Sequence, residues 1–236
     1  MRTVLAGLML LGASTPALAE FEARAVLKAP DRAVLSGELA ARVKDVPFRA
    51  GDSFSKGDVL VALDCDLYQA QQEKVAAEHK AAGVKLENAR QLNELRSIGS
   101  LDVALAQSEF AQTQAELRIA RLNTARCVIK APWNGQVVAV LVNEHENIRQ
   151  QQELIEVVGN SRLEAEVVVS SSWLSWLKPG QPLRLTIDET GAVAEASVVG
   201  VTPAIDAVSQ TVLLRAALSE DAGLVPGMSA TAVFPR

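Results

Sequence analysis

Apolar and polar positions follow two different periods along the chain, and the switch between them divides it. Residues 41–63, "ARVKDVPFRAGDSFSKGDVLVAL", align without a gap on residues 135–157, "GQVVAVLVNEHENIRQQQELIEV", at a constant offset of 94. Val43 pairs with Val137, Val46 with Val140, Phe48 with Val142, Phe54 with Ile148, Leu60 with Leu154, Val61 with Ile155 and Leu63 with Val157. Apolar character agrees at every one of these positions while the polar positions drift, as expected of two copies with one inward-facing pattern. Alternation such as Val46-x-Phe48 and Val140-x-Val142 predicts short strands. Gly51-Asp52 and Lys56-Gly57 mark turns in the first copy, and polar residues stand there in the second.

Between the copies the period becomes helical. From Leu67 to about Arg96 there is no proline and one glycine, and the composition favours Ala, Gln, Glu, Lys and Leu, all good helix formers. Asp66 is a candidate N-cap, with Gln69 completing a capping box. Tyr68, Val75, Ala82 and Ala89 recur every seven residues. The run breaks at "SIGS", where Gly99 suits the C-terminal cap of one helix and Ser100 the N-cap of the next, with Asp102 in its first turn. Val103, Ala106, Phe110, Thr113, Leu117, Ala120 and Thr124 then follow the 3-4 spacing of a coiled-coil seam built from small residues. The second helix runs to about Arg126. Two helices of about 45 and 39 Å joined by so short a break predict an antiparallel hairpin. A helical pair inside a globular core is the alternative, and the polar outer faces fit it poorly.

The first residues, "MRTVLAGLMLLGASTPALA", have the three parts of a secretory signal: Arg2, the apolar run Val4 to Leu11, and the small-x-small site Ala17-Leu18-Ala19. A membrane anchor is the other reading, but so short an apolar run cannot cross a hydrocarbon core that needs about 20 residues. Cleavage before Glu20 is expected, giving a chain soluble outside the cytoplasm, most simply in a bacterial periplasm. Removing Arg2 leaves 22 basic residues against 28 acidic ones. That balance argues against nucleic acid, which calls for a basic footprint. The chain's two cysteines, Cys65 and Cys127, can form one disulfide in an oxidising compartment.

Candidates for chemistry are few. His79 and His145 lie in different segments without a matched Cys, Asp or Glu cluster, so no metal site is expected. Met228 stands alone once the leader is removed, which disfavours a methionine-based copper site. Ser170-Ser171-Ser172 lacks a companion base and reads as a strand-to-helix loop. Trp173 and Trp176 share one face of a short helical turn, either packing on a barrel end or anchoring a partner. No arrangement of residues points to an enzyme.

Two strand-rich half-motifs separated by a helical hairpin resemble the periplasmic adaptor, or HlyD-like membrane fusion protein, family, including adaptors of RND-type efflux systems. The first half, "VKDVPFRAGDSFSKGDVLVALD", resembles the family's valines followed by Gly-Asp-x-Val-x-Lys-Gly and a closing Leu-Asp. The second, "CVIKAPWNGQVVAV", is similar to its Ile-x-Ala-Pro-x-x-Gly-x-Val signature, and residues 163–234 are similar to its β-barrel domain through "WLKPGQPLRLTID", "TPAIDAVSQTVLLRAAL" and "LVPGMSATAVF". The resemblance implies a mainly β fold with a long α-helical hairpin. A signal peptide would occupy 1–19, a split lipoyl-like (biotinyl-like) β-domain 20–64 plus 127–160, the hairpin 65–126 and the barrel 161–236. True lipoyl and biotinyl carriers place a modifiable lysine where the hairpin stands here, so no cofactor is expected. The chain ends directly after the barrel-like region, so neither a membrane-proximal fourth domain nor an N-terminal membrane helix is expected.

The resemblance also implies partners: an inner-membrane transporter, a TolC-like outer-membrane channel, and further copies of the chain in a homo-oligomer. Family hairpin tips meet the channel through an Arg-x3-Leu-x6-Ser pattern. Arg90, Leu95 and Ser100 approach it, with Leu95 one residue late and Ser100 one early relative to Arg90. Alternatively Arg90 is a solvated face residue, Leu95 a seam residue and Ser100 an N-cap. If the hairpin leaves and re-enters one small domain, its ends lie within disulfide reach, and a Cys65–Cys127 bond is expected to clamp the base. Two reduced core cysteines are the alternative. A different class of function, a periplasmic ligand- or metal-binding carrier module, remains the second reading.

Overall fold

A computed structural model describes residues 21–160, 162–219 and 223–235. The expected leader, 1–19, lies outside the described residues. In chain order the elements are β1 (Phe21–Lys28), β2 (Arg32–Ser36), β3 (Ala41–Asp45), β4 (Ser53–Phe54) and β5 (Val59–Leu63), then α1 (Asp66–Glu94) and α2 (Ser100–Ala125). There follow β6 (Val128–Lys130), β7 (Gly135–Val140), β8 (Asn147–Ile148), β9 (Glu153–Gly159), β10 (Glu164–Ser170), β11 (Pro182–Ile187), β12 (Val193–Asp206), β13 (Thr211–Leu218) and β14 (Ser229–Phe234). They form two compact units, one of residues 29–161 and one that joins the N-terminal strand to residues 162–236.

In the first unit, two four-stranded sheets, ordered β2-β9-β7-β4 and β6-β5-β3-β8, enclose one core. The repeat is visible element by element: β4 and β8 stand 94 residues apart, as do the starts of β5 and β9 and of β3 and β7. All fourteen residues of the seven apolar pairs belong to this core or pack against it. The copies exchange partners, β3 pairing with β8 and β4 with β7, so neither half can bury its apolar face alone.

Even the turns repeat. Gly51 and Gly57 have φ of 93° and 94°, and their counterparts His145 and Gln151 hold the same left-handed backbone at 68° and 63°. The Gly51 N–H donates to the Val137 carbonyl at 2.8 Å, and the His145 N–H to the Val43 carbonyl at 2.9 Å. Likewise Asp52 accepts from the Arg49 N–H (2.7 Å) as Glu146 accepts from that of Asn143 (3.0 Å). Side-chain oxygens that accept from backbone N–H groups thus recur in both copies, while the left-handed position that glycine adopts freely in the first is held by side-chain-bearing residues in the second.

The second unit is a closed barrel in the order β1-β10-β13-β12-β11-β14. Its inward row is mostly aliphatic, with Leu27, Ala165, Val167, Leu185 and Leu214 fully buried beside the aromatic Phe234. Here one expected boundary is corrected. Residues 21–28 do not belong with the lipoyl-like half assigned to 20–64, because β1 pairs along its length with β10 and β14. "FEARAVLK" alternates as any half-buried strand does, and nothing local in it reveals partners more than a hundred residues away. The triple serine leads into a 3-10 turn, Ser171–Ser175. Trp173 and Trp176 pack with Phe21 and Phe234 at ring separations of 5.0–6.1 Å, which favours their packing role.

Candidate functional site

The element that no small β core requires is the pair of helices between the two halves of the repeat. The 29 residues of α1 and 26 of α2 make rods of about 44 and 39 Å. Two small apolar clusters hold them antiparallel: Val75 with Leu117 and Ala120, and Leu86 and Ala89 with Ala106, Phe110 and Val103. The contact side of α1 runs through Tyr68, Gln72, Val75, His79, Ala82, Leu86, Ala89 and Asn93, all buried or half-buried. Alternating 4-3 spacing matches that of α2. The seven-residue reading found only half of this line: of the other four positions, Gln72, His79 and Asn93 carry no apolar signal, which left the apolar Leu86 isolated.

His79 lies within the contact. Thr113 Oγ1 is 3.0 Å from the Phe110 carbonyl, and His79 Nδ1 lies 3.2 Å from the same hydroxyl oxygen, so the imidazole is hydrogen-bonded across the helix contact. Its ring lies 4.6 Å from that of Phe110, tilted by 30°. Phe110 in turn sits over Gly83, where a Cβ would stand 3.3 Å from Cε2. That close approach accounts for a glycine in mid-helix, where it costs about 1 kcal/mol relative to alanine.

At the base, Cys65 and Cys127 are joined by a disulfide, their Cα atoms 6.0 Å apart, and both are buried. Cys65 is the N-cap of α1 and Cys127 follows the C-cap of α2, Arg126. The capping box expected at Asp66 does not form: Asp66 is the first helical residue, and the Gln69 N–H donates to the Cys65 carbonyl at 2.9 Å. Arg126 bridges to Glu38 at 2.7 Å, and the Tyr68 hydroxyl donates to the Ala40 carbonyl at 3.3 Å. Arg42 bonds Asp64 at 2.7 Å, and this hydrogen bond, aided by the Asp66 N–H, holds the Asp64 carboxyl below the usual carboxylate range.

At the far end the turn departs from the expected caps. Arg96, not Gly99, takes the left-handed position, with φ 55°. Its N–H donates to the Asn93 carbonyl and that of Ser97 to the Leu92 carbonyl, both at 2.8 Å, closing α1 with a Schellman motif. Gly99 instead caps α2, its N–H donating to Asp102 Oδ2 at 3.1 Å, so Ser100 is the first helical residue rather than the cap. Asn93 Nδ2 donates across the turn to the Ile98 carbonyl at 3.0 Å. Arg90, Leu95 and Ser100 are all exposed around this turn. Leu95 is 74% exposed, which rules it out of the helix contact.

Among the described residues no group of three or more His, Cys, Asp and Glu could hold a metal, and no helix is long and apolar enough to cross a membrane. His79 and His145 are in separate parts of the first unit, one between the helices and one in a sheet turn.

Residues 163–236 match the CusB-like β-barrel domain family. Over 91% of its length the chain superposes on 80% of a MacA–MexA chimeric protein that contains the Pseudomonas aeruginosa MexA α-hairpin domain, with a TM-score of 0.80 and 19% identity. Over 92% it matches 99% of a membrane fusion protein from Streptococcus pneumoniae, with a TM-score of 0.75 and 17% identity. The chain has the fold of a membrane fusion protein. A putative efflux transporter from Bacteroides eggerthii shares this fold at a TM-score of 0.74 and 14% identity, over 95% of this chain and 73% of that one. In sequence the chain is 23% identical over 211 residues to the nodulation protein NolF of Rhizobium meliloti, covering 83% of itself and 58% of that protein. An uncharacterised protein of Haemophilus influenzae is 24% identical over 199 residues, with 83% and 52% covered. The chain thus spans little more than half the length of these two relatives.

Proposed function

We propose that this chain is a periplasmic adaptor that links an inner-membrane transporter to a TolC-like outer-membrane channel in a tripartite efflux or secretion system. One observation carries the reading. A two-helix rod interrupts a repeat whose halves rebuild a single β core, next in sequence to a barrel matching the CusB-like family. In this reading the β core is the lipoyl-like domain, the rod a coiled-coil hairpin, and residues 1–19 the leader that sends the chain to the periplasm. The turn carrying Arg90, Leu95 and Ser100 would meet the channel, and the barrel would meet the transporter. Catalysis has no part in it, and no lipoate or biotin is bound. The work is geometric: several copies line a conduit, and rigidity of the rod sets its length.

Affinity isolation of the tagged chain from crosslinked cells tests this. Recovery of an inner-membrane transporter and an outer-membrane channel is expected. A chain that is exported and folded yet brings down neither would overturn the reading.

A further inference from the structure

The disulfide at the base of the helix pair lies inside the β core rather than on its surface. Cys65 and Cys127 are only 6% and 3% exposed. They share one cluster with Val43 and Leu63 of the first half of the repeat and with Val137, Ile155 and Val157 of the second. The Leu63 N–H donates to the Cys127 carbonyl at 2.8 Å, which ties the second cysteine to the first half as well. Once the two halves have met, an enzyme has no approach to either sulfur.

The first half cannot supply that cover by itself. Of its strands only β3 and β5 pair with each other. β2 and β4 are sheet-edge strands whose neighbours are β9 and β7 of the second half. Cys65 is therefore open to reaction until residues 128–159 arrive. In a chain exported from its N-terminus it waits through the 62 residues that separate it from Cys127. Cys127 waits less, since the strands that cover it follow directly. Local charge does not reverse this order. The helix N-terminus favours a thiolate at Cys65 while Asp64 and Asp66 oppose it; at Cys127 the helix C-terminus opposes a thiolate and Arg126 favours it.

We infer that the Cys65–Cys127 bond is made before the split core closes, by a thiol oxidase of the exported compartment that captures Cys65 first. In the first exchange the Cys65 thiolate attacks the oxidase's disulfide, forming a mixed disulfide and releasing one oxidase sulfur as thiolate. Cys127 Sγ then attacks Cys65 Sγ, and the oxidase's second sulfur leaves. The chain gives up two thiol protons and two electrons, and the oxidase's disulfide takes the electrons and becomes a dithiol. The helix pair draws on contacts between α1 and α2 alone, so it brings the cysteines together while the sheets are still open. The inference rests on the adaptor reading only for the export of the chain.

In cells that export the chain, acid quenching and non-reducing electrophoresis should show Cys127→Ser joined to a thiol oxidase in a reductant-sensitive adduct. The adduct should be several times stronger than that of Cys65→Ser. The purified wild-type chain from Glu20 onward gives the order directly. Oxidised glutathione present during dilution from urea should form the bond promptly. Added after the reduced chain has refolded, as circular dichroism shows, it should act more slowly by roughly tenfold or more, because access then needs an opening of the core. A reduced chain that does not refold supports the same order, since closure then requires the bond. Equal rates before and after folding overturn the proposal. So does an adduct that is absent from Cys127→Ser or no weaker in Cys65→Ser. A chain that stays in the cytoplasm counts instead against the adaptor reading, and the order measured on the purified chain stands apart from it.

Discussion

At the scale of single residues, the two copies of the repeat solve one backbone problem with different side chains. His145 and Gln151 hold the left-handed conformation that Gly51 and Gly57 hold in the other copy, a state costing about 1–2 kcal/mol for a side-chain-bearing residue. Replacing His145 by glycine should therefore stabilise the fold, by about 0.5 kcal/mol net of glycine's greater unfolded-state entropy. Gly51→Ala should destabilise it by about 1 kcal/mol. Urea midpoints measure both, and equal effects of the same sign would contradict the equivalence. The sequence showed that glycine was replaced here but not that the turns survived, since the backbone N–H bonds that Glu146 and Gln152 accept are offset copies of those that Asp52 and Asp58 accept. Asp64 gives a second residue-level outcome. Its carboxyl titrates below the usual value because of Arg42. The associated stabilisation is full above the unfolded value near 3.9 and is lost as pH falls through the lower folded one. Arg42→Ala should move the Asp64 titration, followed by NMR, back up toward the ordinary range.

At the scale of elements, the disulfide and the turn fix the two ends of the helix pair. Cys65 and Cys127 enclose a loop of 62 residues in sequence separation, so the chain-entropy estimate for the bond is about 4 kcal/mol. Cys65→Ser/Cys127→Ser should lower the unfolding free energy of the first unit by a large part of that amount, read from denaturant curves. A loss under about 1 kcal/mol would mean that the surrounding contacts already hold the base. The pair was legible in composition and in the α2 spacing, because Val103 to Thr124 repeat apolar or small residues at nearly every contact position. Half of the α1 line was not legible, since Gln72, His79 and Asn93 are polar and leave the apolar Leu86 as the lone signal of its row. The caps were misplaced by a residue or more at both ends. Left-handed Arg96 took the role that propensity assigns to glycine, which freed Gly99 to begin α2.

At the scale of the whole molecule, the barrel depends on chain ends far apart in sequence. Residues 163–236, the span of the family match, supply five strands, and the sixth is Phe21–Lys28. Expressed alone, that span should remain unfolded or aggregate around two unpaired edges. Fusing residues 21–28 to it should restore a cooperative melt, and a stable isolated fragment would contradict the assigned closure. The repeat, the helix pair and the run of late strands were readable because their signals are local or periodic. The membership of β1 was not, because strand pairing across such a separation leaves no mark in the strand itself. The proposed adaptor role reduces most directly to what the turn at Leu95 touches. A photo-crosslinking residue placed at Leu95 in cells should capture an outer-membrane channel protein. If the exported, folded chain crosslinks to no outer-membrane protein from position 95, nor from 90 or 100, the bridging role is contradicted.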